Sequence, residues 1–223
     1  RFCLWIEDRH LKEAMAIPTI AAQIEGVRQM RSASIAAATR AKASVAHKFW
    51  IILGAPNKHT IVVPGVSSEN RAYLPVGLLE ADAILSNRNF ALYDAPLWNM
   101  ALIASRIHWV WIGTVCVRLE MRFSYSNTLG WNTFPIPKLT EKNRQDLTRC
   151  AEDILLARES HFPATIADLY DQEKMPENLR IAHERNDEVL ERIYIGRRFK
   201  NDTERLEKLF ELYTKMTKSQ VAS

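Results

Sequence analysis

The stretch Arg118-Leu-Glu-Met-Arg-Phe-Ser-Tyr125 separates two differently patterned parts of the chain. From Leu119 to Tyr125 every second residue is apolar, and the polar positions between them are Glu120, Arg122 and Ser124. This alternation is typical of a strand with one buried face and one polar face. We therefore expect Met121 to turn toward the core and the polar side chains to project along one face, about 6.6–7 Å apart.

Downstream of this stretch the pattern is helical. Residues 127–137 contain Gly130, Pro135 and Pro137 and are expected to form a loop. Thr140 can cap a helix whose apolar stripe is Leu147, Cys150, Ala151, Ile154 and Leu155. A second helix is expected from about 177 to 194, and a third after Asn201, which has capping-box spacing to Glu204. Residues 138–223 are therefore predicted to form a small helical bundle.

Upstream, the chain reads as a mixture of helix and short strands. A helix is expected from Pro18 to about residue 46, with a break near Gly26 or Ser32–Ser34. A single buried helix is expected over 97–117. The predicted strands are 1–6, 49–53, 60–64, 71–75 after a turn at 67–69, 83–85 and 90–93. The fold class predicted is α+β, with a mixed α/β domain at 1–137 and a helical domain at 138–223.

The composition favours an ordinary globular chain. Hydrophobic residues make up 47% and charged residues 25%, which is not the balance of a disordered protein. The three cysteines, Cys3, Cys116 and Cys150, form no CxxC pair. This argues against a disulfide framework or a structural zinc site and predicts a reducing compartment, the cytoplasm. The most apolar stretch carries polar and charged residues, so no membrane span is expected.

The charge is distributed unevenly. Residues 1–137 hold 14 Lys and Arg against 9 Asp and Glu, whereas residues 138–223 hold 16 against 17. A basic first part predicts an anionic partner. The candidates for contact with a phosphate backbone are Arg28, Arg31, Arg40, Lys42 and Arg118. The alternative for the first four is an ordinary solvated helix face.

The chain lacks the common catalytic and cofactor motifs. It contains no GxGxxG or GxxxxGK[ST] loop for phosphates, no HExxH for a metal and no GxSxG elbow. His108 lies in an apolar helix and is interpreted as a core residue. The tetrapeptide Asn132-Thr-Phe-Pro135 is interpreted as a loop anchor. We therefore expect no catalytic, metal or cofactor site in this chain.

Two polar pairs carry the chemistry of base recognition. Arg can donate to both acceptors of guanine and Glu can accept from the amino group of cytosine, so Glu120 and Arg122 could read one C·G pair. The alternative is a solvated strand face with a diagonal salt bridge. Asn pairs with adenine and Arg with guanine, so Asn87 and Arg88 are a second candidate pair. The alternative there is a simple turn.

An ordered series of short motifs resembles a known family. The motifs are Phe2-Cys-Leu-Trp-Ile6, Val62-Val-Pro64, Ser67-Ser-Glu69, Arg71-Ala-Tyr-Leu-Pro75, Ser86-Asn87, His108-Trp-Val-Trp111, Arg118-Leu119, Tyr125-Ser126, Asn132-Thr-Phe-Pro135, Ala167-Asp-Leu-Tyr-Asp171 and Met175-Pro176. The series is similar to the C-terminal third of MmeI-like Type IIL restriction–modification enzymes, in which one chain both cuts DNA and methylates adenine. The resemblance covers essentially the whole chain.

The resemblance implies a target recognition domain followed by a helical domain, with double-stranded DNA as partner. It implies that a nuclease and an S-adenosylmethionine-dependent adenine methyltransferase lie upstream on the same polypeptide, so the chain, which begins at Arg1, is expected to be a fragment. The family's base-reading positions correspond to Glu120, Arg122, Ser124, Asn87 and Arg88.

Two positions depart from the family pattern, and one alternative reading stays open. Gly65 stands where relatives often carry Arg, which removes the expected contact there, and Val117 replaces a usual Gly at the helix exit. The alternative reading is a helical interaction module of a phage-defence complex that does not read bases.

Overall fold

The computed structural model describes residues 3–50 and 56–221, and the side chains of residues 3–50 and 56–218. The chain divides into two units, residues 1–54 and 55–223. The described part of the first unit contains helices and coil, and the second contains two small sheets and further helices. This combination confirms the predicted α+β class. Within the described ranges, no helix combines the length and apolar character that crossing a membrane requires.

The first unit is built around one long helix. Its helices are α1 (Leu11–Met15), α2 (Pro18–Ser32) and α3 (Ala37–Ala41), with 3₁₀ turns at Asp8–His10 and Ala43–Val45. Pro18 occupies the first turn of α2, where its missing N–H removes no helical hydrogen bond. The predicted break at Ser32–Ser34 is confirmed, whereas the one at Gly26 is wrong because the helix runs through that residue.

The strand predicted at residues 1–6 is wrong over its described part. Residues 3–7 are coil, and the side chains of Leu4 and Trp5 are exposed. The described ladders pair only residues between 59 and 124, so this apolar run has no partner strand there. Trp5 instead stacks on Phe49, with ring centroids 5.9 Å apart. The strand predicted at 49–53 lies mostly outside the described residues, and Phe49 and Trp50 are not in a strand.

In its described residues, the second unit contains two antiparallel three-stranded sheets. Their strands are β1 (His59–Pro64), β2 (Val66–Ser68), β3 (Gly77–Glu80), β4 (Asn89–Tyr93), β5 (Arg118–Leu119) and β6 (Arg122–Ser124). The first sheet has the order β3-β1-β4 and the second the order β2-β6-β5. Since β1 and β2 belong to different sheets, the chain passes from one sheet to the other at Gly65. The predicted strands at 60–64 and 90–93 are confirmed.

Two predicted strands of this unit are absent, and a predicted turn is a strand. Residues 71–75 and 83–85 are not in strands, and the predicted turn at 67–69 contains most of β2. Residues 73–76 are nevertheless buried, because this coil packs against the helices and not within a sheet. The apolar character of the run therefore reflected burial and not strand pairing.

The apolar stretch predicted as one helix forms two. They are α4 (Trp98–Ile103) and α5 (Arg106–Val115). Ser105 has an extended backbone and its hydroxyl accepts from the backbone N–H of His108 at 3.2 Å, so it caps α5. The prediction of a single helix over 97–117 is wrong because this cap starts a new helix inside the apolar run.

The helical predictions after residue 137 are confirmed. The helices are α6 (Glu141–Glu159), α7 (Ile166–Leu169), α8 (Glu177–Ile195) and α9 (Asp202–Val221). Thr140 caps α6, and the Asn201 side chain accepts from the Glu204 N–H at 3.0 Å. The short helix α7 was not predicted, although Thr165 and Asp168 form a capping box there. Residues 127–131 of the predicted loop form one π-helical turn.

The helices and the sheets of the second unit share one core. Its members include Ile61 of β1, Ile107 of α5, Leu147 of α6 and Leu190 of α8. The boundary predicted between residues 137 and 138 lies inside this unit and stays a prediction. The structure places the sheets directly against the helices.

Candidate nucleic-acid interface

Strands β5 and β6 form a tight hairpin with Glu120 and Met121 at its tip. Leu119 pairs with Arg122, so the loop contains two residues. Glu120 has a positive φ of 55°, the left-handed conformation that two-residue hairpin loops require. The prediction of one continuous strand over 119–125 is therefore wrong. Glu-Met carries no Gly, Asn or Asp to signal a turn, and the alternating pattern continues through it.

The hairpin changes which residues reach solvent. Met121 is 67% exposed and Leu119 is also exposed, so the prediction that Met121 turns to the core is wrong. Phe123 and Tyr125 are buried as predicted. Arg122 and Ser124 share one face of β6, whereas Glu120 projects from the loop.

Glu120 and Arg122 form an ion pair at this tip. Arg122 Nη2 donates to Glu120 Oε2 at 2.9 Å, and the side chains are 78% and 50% exposed for Glu120 and Arg122 respectively. An exposed pair of this kind contributes only about 0–1 kcal/mol, so exchanging the partner for another polar group costs little. The tip therefore presents a carboxylate acceptor and a guanidinium donor side by side in solvent.

The base of the hairpin is fixed to β2. Arg118 Nη1 donates to Glu69 Oε2 at 2.8 Å, and its guanidinium lies 5.1 Å from the centre of the Phe123 ring. The Glu69 N–H donates to the carbonyl of Met121 at 3.3 Å. Val117, at the helix exit, is exposed and its carbonyl accepts from Ser124 N–H at 3.0 Å. These contacts hold the tip against the neighbouring strand.

Asn87 and Arg88 lie in an exposed turn. Ser86 Oγ accepts from Arg88 N–H at 3.4 Å, and its carbonyl accepts from Asn89 N–H at 3.2 Å. The turn leads directly into β4, whose first residue, Asn89, pairs with Pro64 of β1. The structural alternative considered for this pair, a turn, is confirmed, and both side chains remain in solvent.

Gly65 connects the turn to the hairpin strand. Its N–H donates to the carbonyl of Arg88 at 3.1 Å, and its carbonyl accepts from the Tyr125 N–H at 2.9 Å. The two polar pairs proposed from the sequence therefore lie on elements that meet at one residue.

Four residues predicted to contact the DNA phosphate backbone lie in the first unit, and they differ in exposure. Arg28, Arg40 and Lys42 are exposed; Arg28 pairs with Glu25 at 2.9 Å. Arg31 is only 7% exposed. Its guanidinium donates to the carbonyls of Lys42, Val45 and Lys48 at 2.8–3.1 Å. A guanidinium held in this way ties residues 42–48 to α2, so its placement does not support a contact with DNA.

Behind the hairpin, His108 is a core residue as interpreted from the sequence. Its Nε2 lies 3.1 Å from the Tyr125 hydroxyl, and its ring meets Phe134 edge to face at 4.6 Å. Burial lowers the pKa of His108 to about 3, so the imidazole is neutral. Phe134 is buried and the Pro135 carbonyl accepts from the Tyr194 hydroxyl at 2.9 Å. The loop-anchor interpretation of residues 132–135 is therefore confirmed.

A buried polar cluster supports the coil at 71–76 and was not found from the sequence. The Tyr73 hydroxyl donates to Asp187 Oδ2 at 2.9 Å, and Arg106 N–H donates to Asp187 Oδ1 at 2.7 Å. Burial raises the pKa of Asp187 to about 7. Asp187 and Tyr73 are 114 residues apart, so no local pattern could have linked them. The cluster joins the coil that follows β2 to α5 and α8.

Arg158 supports the same coil from α6. Its guanidinium donates to the Val76 carbonyl at 2.5 Å and to the Tyr170 hydroxyl, which also lies 2.7 Å from His183 Nε2. All three side chains are buried. Arg71-Ala-Tyr-Leu-Pro75 and Ala167-Asp-Leu-Tyr-Asp171, two of the motifs quoted from the sequence, therefore supply structural tyrosines.

Two family models match the chain. The model described as "MmeI, target recognition domain" matches residues 1–138, and "MmeI, C-terminal domain" matches residues 139–221. DNA methyltransferase A of Bacillus subtilis (strain 168) is 38% identical over 217 residues, which are 97% of this chain and 24% of that protein.

A solved structure is also similar. It is described as the Type IIL restriction-modification enzyme MmeI in complex with DNA, and it matches with a TM-score of 0.90 and 34% identity. The match covers 97% of this chain and 29% of the MmeI chain. The chain thus spans about a quarter of the length of each of these two relatives.

Proposed function

Because this chain belongs to the MmeI family, as its motifs predicted, we propose that it selects the DNA sequence on which a Type IIL restriction–modification enzyme acts. The observation that carries the proposal is the hairpin tip. The major groove of B-DNA is wide enough to admit a two-stranded β-ribbon. The tip of β5–β6 is such a ribbon, and it presents Glu120 and Arg122 to solvent.

The chemistry of the tip favours a C·G base pair. Arg122 can donate to O6 and N7 of guanine while Glu120 accepts from N4 of cytosine. The ion pair between the two side chains orients both groups before DNA arrives, and its exchange for base contacts costs little. Ser124 on the same face, and Asn87 and Arg88 on the neighbouring turn, are proposed to read further positions.

The remaining activities belong to the parent polypeptide. The name of the Bacillus relative supports a parent that methylates DNA, and the MmeI description supports one that also restricts it. The methyl donor would be S-adenosylmethionine, bound outside this chain. Within the proposal, this chain contributes the choice of site and not the chemistry.

The test is the methylation pattern of the full-length parent enzyme on random DNA, read by sequencing. Arg122→Ala is expected to relax the preference at one base pair by about 1–3 kcal/mol and to leave other positions unchanged. Arg192→Ala is the matched control, because Arg192 forms a similarly exposed ion pair with Glu188 on α8. If Arg122→Ala leaves the site unchanged and the parent binds duplex equally well, the helical interaction module becomes the better account.

A further inference from the structure

Gly65 is hydrogen-bonded to both sheets of the second unit through its own peptide groups. On one side its N–H meets the Arg88 carbonyl, one residue before β4, and on the other its carbonyl meets the Tyr125 N–H, one residue after β6. Its neighbours Pro64 and Val66 pair with Asn89 and Ser124. Gly65 therefore extends both ladders at the point where the chain passes from one sheet to the other.

The backbone of Arg88 approaches Gly65 so closely that residue 65 has no room for a side chain. A Cβ on Gly65 would lie 2.5 Å from the Arg88 carbonyl oxygen and 3.3 Å from its carbonyl carbon. Both atoms are backbone, so a rotamer change cannot relieve the contact. By contrast, a Cβ on Gly77 would lie 3.8 Å from Val62 Cβ, which is an ordinary van der Waals contact.

We propose that Gly65 is a positioning residue for base recognition: by lacking a Cβ, it lets the Asn87–Arg88 turn sit directly against the junction of β1 and β2. The same junction is hydrogen-bonded to Tyr125, the residue that follows the strand carrying Arg122. This inference rests on the proposed function. It means that the base preference of the turn depends on residue 65, although residue 65 itself presents no side chain to DNA. The hairpin tip is braced independently by Glu69, so its preference does not depend on residue 65.

The test uses position-resolved methylation by the full-length parent enzyme. Asn87→Ala and Arg88→Ala first identify the base pairs that the turn reads, and Arg122→Ala identifies the pair read by the hairpin. Gly65→Ala is then expected to reduce discrimination about fivefold or more at the turn positions alone. Gly77→Ala, in the same unit and with ordinary space for its methyl group, is the matched control and is expected to leave every position unchanged.

A second variant covers the case in which Gly65→Ala does not fold. Ser86→Ala removes the hydroxyl that accepts from the Arg88 N–H and introduces no new atom near Gly65. It is expected to relax the same turn positions, by a smaller factor. A thermal melting curve of each variant establishes which of the two is folded. The methylation pattern of the folded variant then tests the role of Gly65.

Three results would overturn the inference. They are an unchanged preference in the folded variants, a loss spread evenly over all positions, and an absence of any preference that depends on Asn87 or Arg88. In each case a persistent effect of Arg122→Ala would leave the proposed function standing. If Arg122→Ala is also without effect, the proposed function fails as well.

Discussion

The hydroxyl of Tyr73 donates to the carboxylate of Asp187 at 2.9 Å, in a part of the core where both residues are buried. Tyr73 belongs to a coil that sequence patterning assigned to a strand, and Asp187 lies in the middle of α8. The same carboxylate accepts from the first N–H of α5. One buried acid thus fixes a coil, a helix start and a long helix relative to one another.

Replacing Tyr73 with phenylalanine tests this cluster. Tyr73→Phe keeps the ring stacked on His183 but removes the donor to Asp187. A buried acceptor left without its partner costs about 1–3 kcal/mol, so the free energy of unfolding is expected to fall by that amount. Chemical denaturation measures it. Tyr93→Phe, at a half-buried position in β4, is the control, and equal losses in the two variants would contradict the role of the hydroxyl.

The pKa of Asp187 predicts a pH dependence of stability. Because burial raises the pKa from 3.8 to about 7, its contribution is fully present below about pH 4 and is lost as the pH rises through 7. Asp187→Asn removes this titration. The stability of the native chain relative to Asp187→Asn is therefore expected to decline between pH 4 and pH 8, by up to about 4 kcal/mol. Thermal melts at several pH values check the sign, and a constant difference would contradict it.

The carbonyl contacts of Arg31 predict a local effect in the first unit. Arg31→Ala removes the three guanidinium hydrogen bonds to the carbonyls of residues 42, 45 and 48. The free energy of local opening at residues 42–48 is expected to fall by about 1.5–3 kcal/mol, seen as faster amide hydrogen exchange. Arg28→Ala, which removes only an exposed ion pair, serves for comparison. Similar amide exchange in both variants would show that Arg31 does not hold residues 42–48 in place.

The exposed Lys42 remains a candidate for phosphate contact. If it neutralises one phosphate, Lys42→Ala in the full-length parent is expected to weaken duplex binding about equally for all sequences. The slope of log binding constant against log salt concentration should become shallower by about one. Lys218→Ala, at the opposite end of the sequence, is the reference. An unchanged slope would remove Lys42 from the proposed interface.

Local signals predicted the helices well and the hairpin badly. Thr140 and Asn201 are caps, and a cap acts within its own turn of helix. The starts of α6 and α9 could therefore be predicted from the local sequence. The turn at Glu120–Met121 left no mark because neither residue is a typical turn former and the apolar–polar alternation of the sequence continues through it. The hairpin nevertheless places Leu119 opposite Arg122, so Leu119 and Phe123 do not share a face as they would in one strand. The Ser105 cap was a readable signal, but the apolar stretch around it suggested an uninterrupted helix.

The candidate site was predicted in part. The exposed turn at Asn87–Arg88 and the ion pair of Glu120 with Arg122 were both among the alternatives considered. The role of Gly65 could not be predicted, because it depends on the backbone of Arg88, which only the folded sheet brings within 3.1 Å. Likewise the burial of Arg31 could not be predicted, because it depends on carbonyls of residues 42–48 that only the folded chain brings to its guanidinium.

The most direct measurement exchanges donor and acceptor at the hairpin tip of the full-length parent enzyme. The variant combines Glu120→Lys with Arg122→Asp, and the control combines Glu188→Lys with Arg192→Asp in the exposed pair of α8. Sequencing of methylated sites is expected to show that the first variant inverts one C·G preference to G·C, while the control keeps the original site. An unchanged site with full activity, or methylation lost evenly at every position, would contradict base reading by this hairpin.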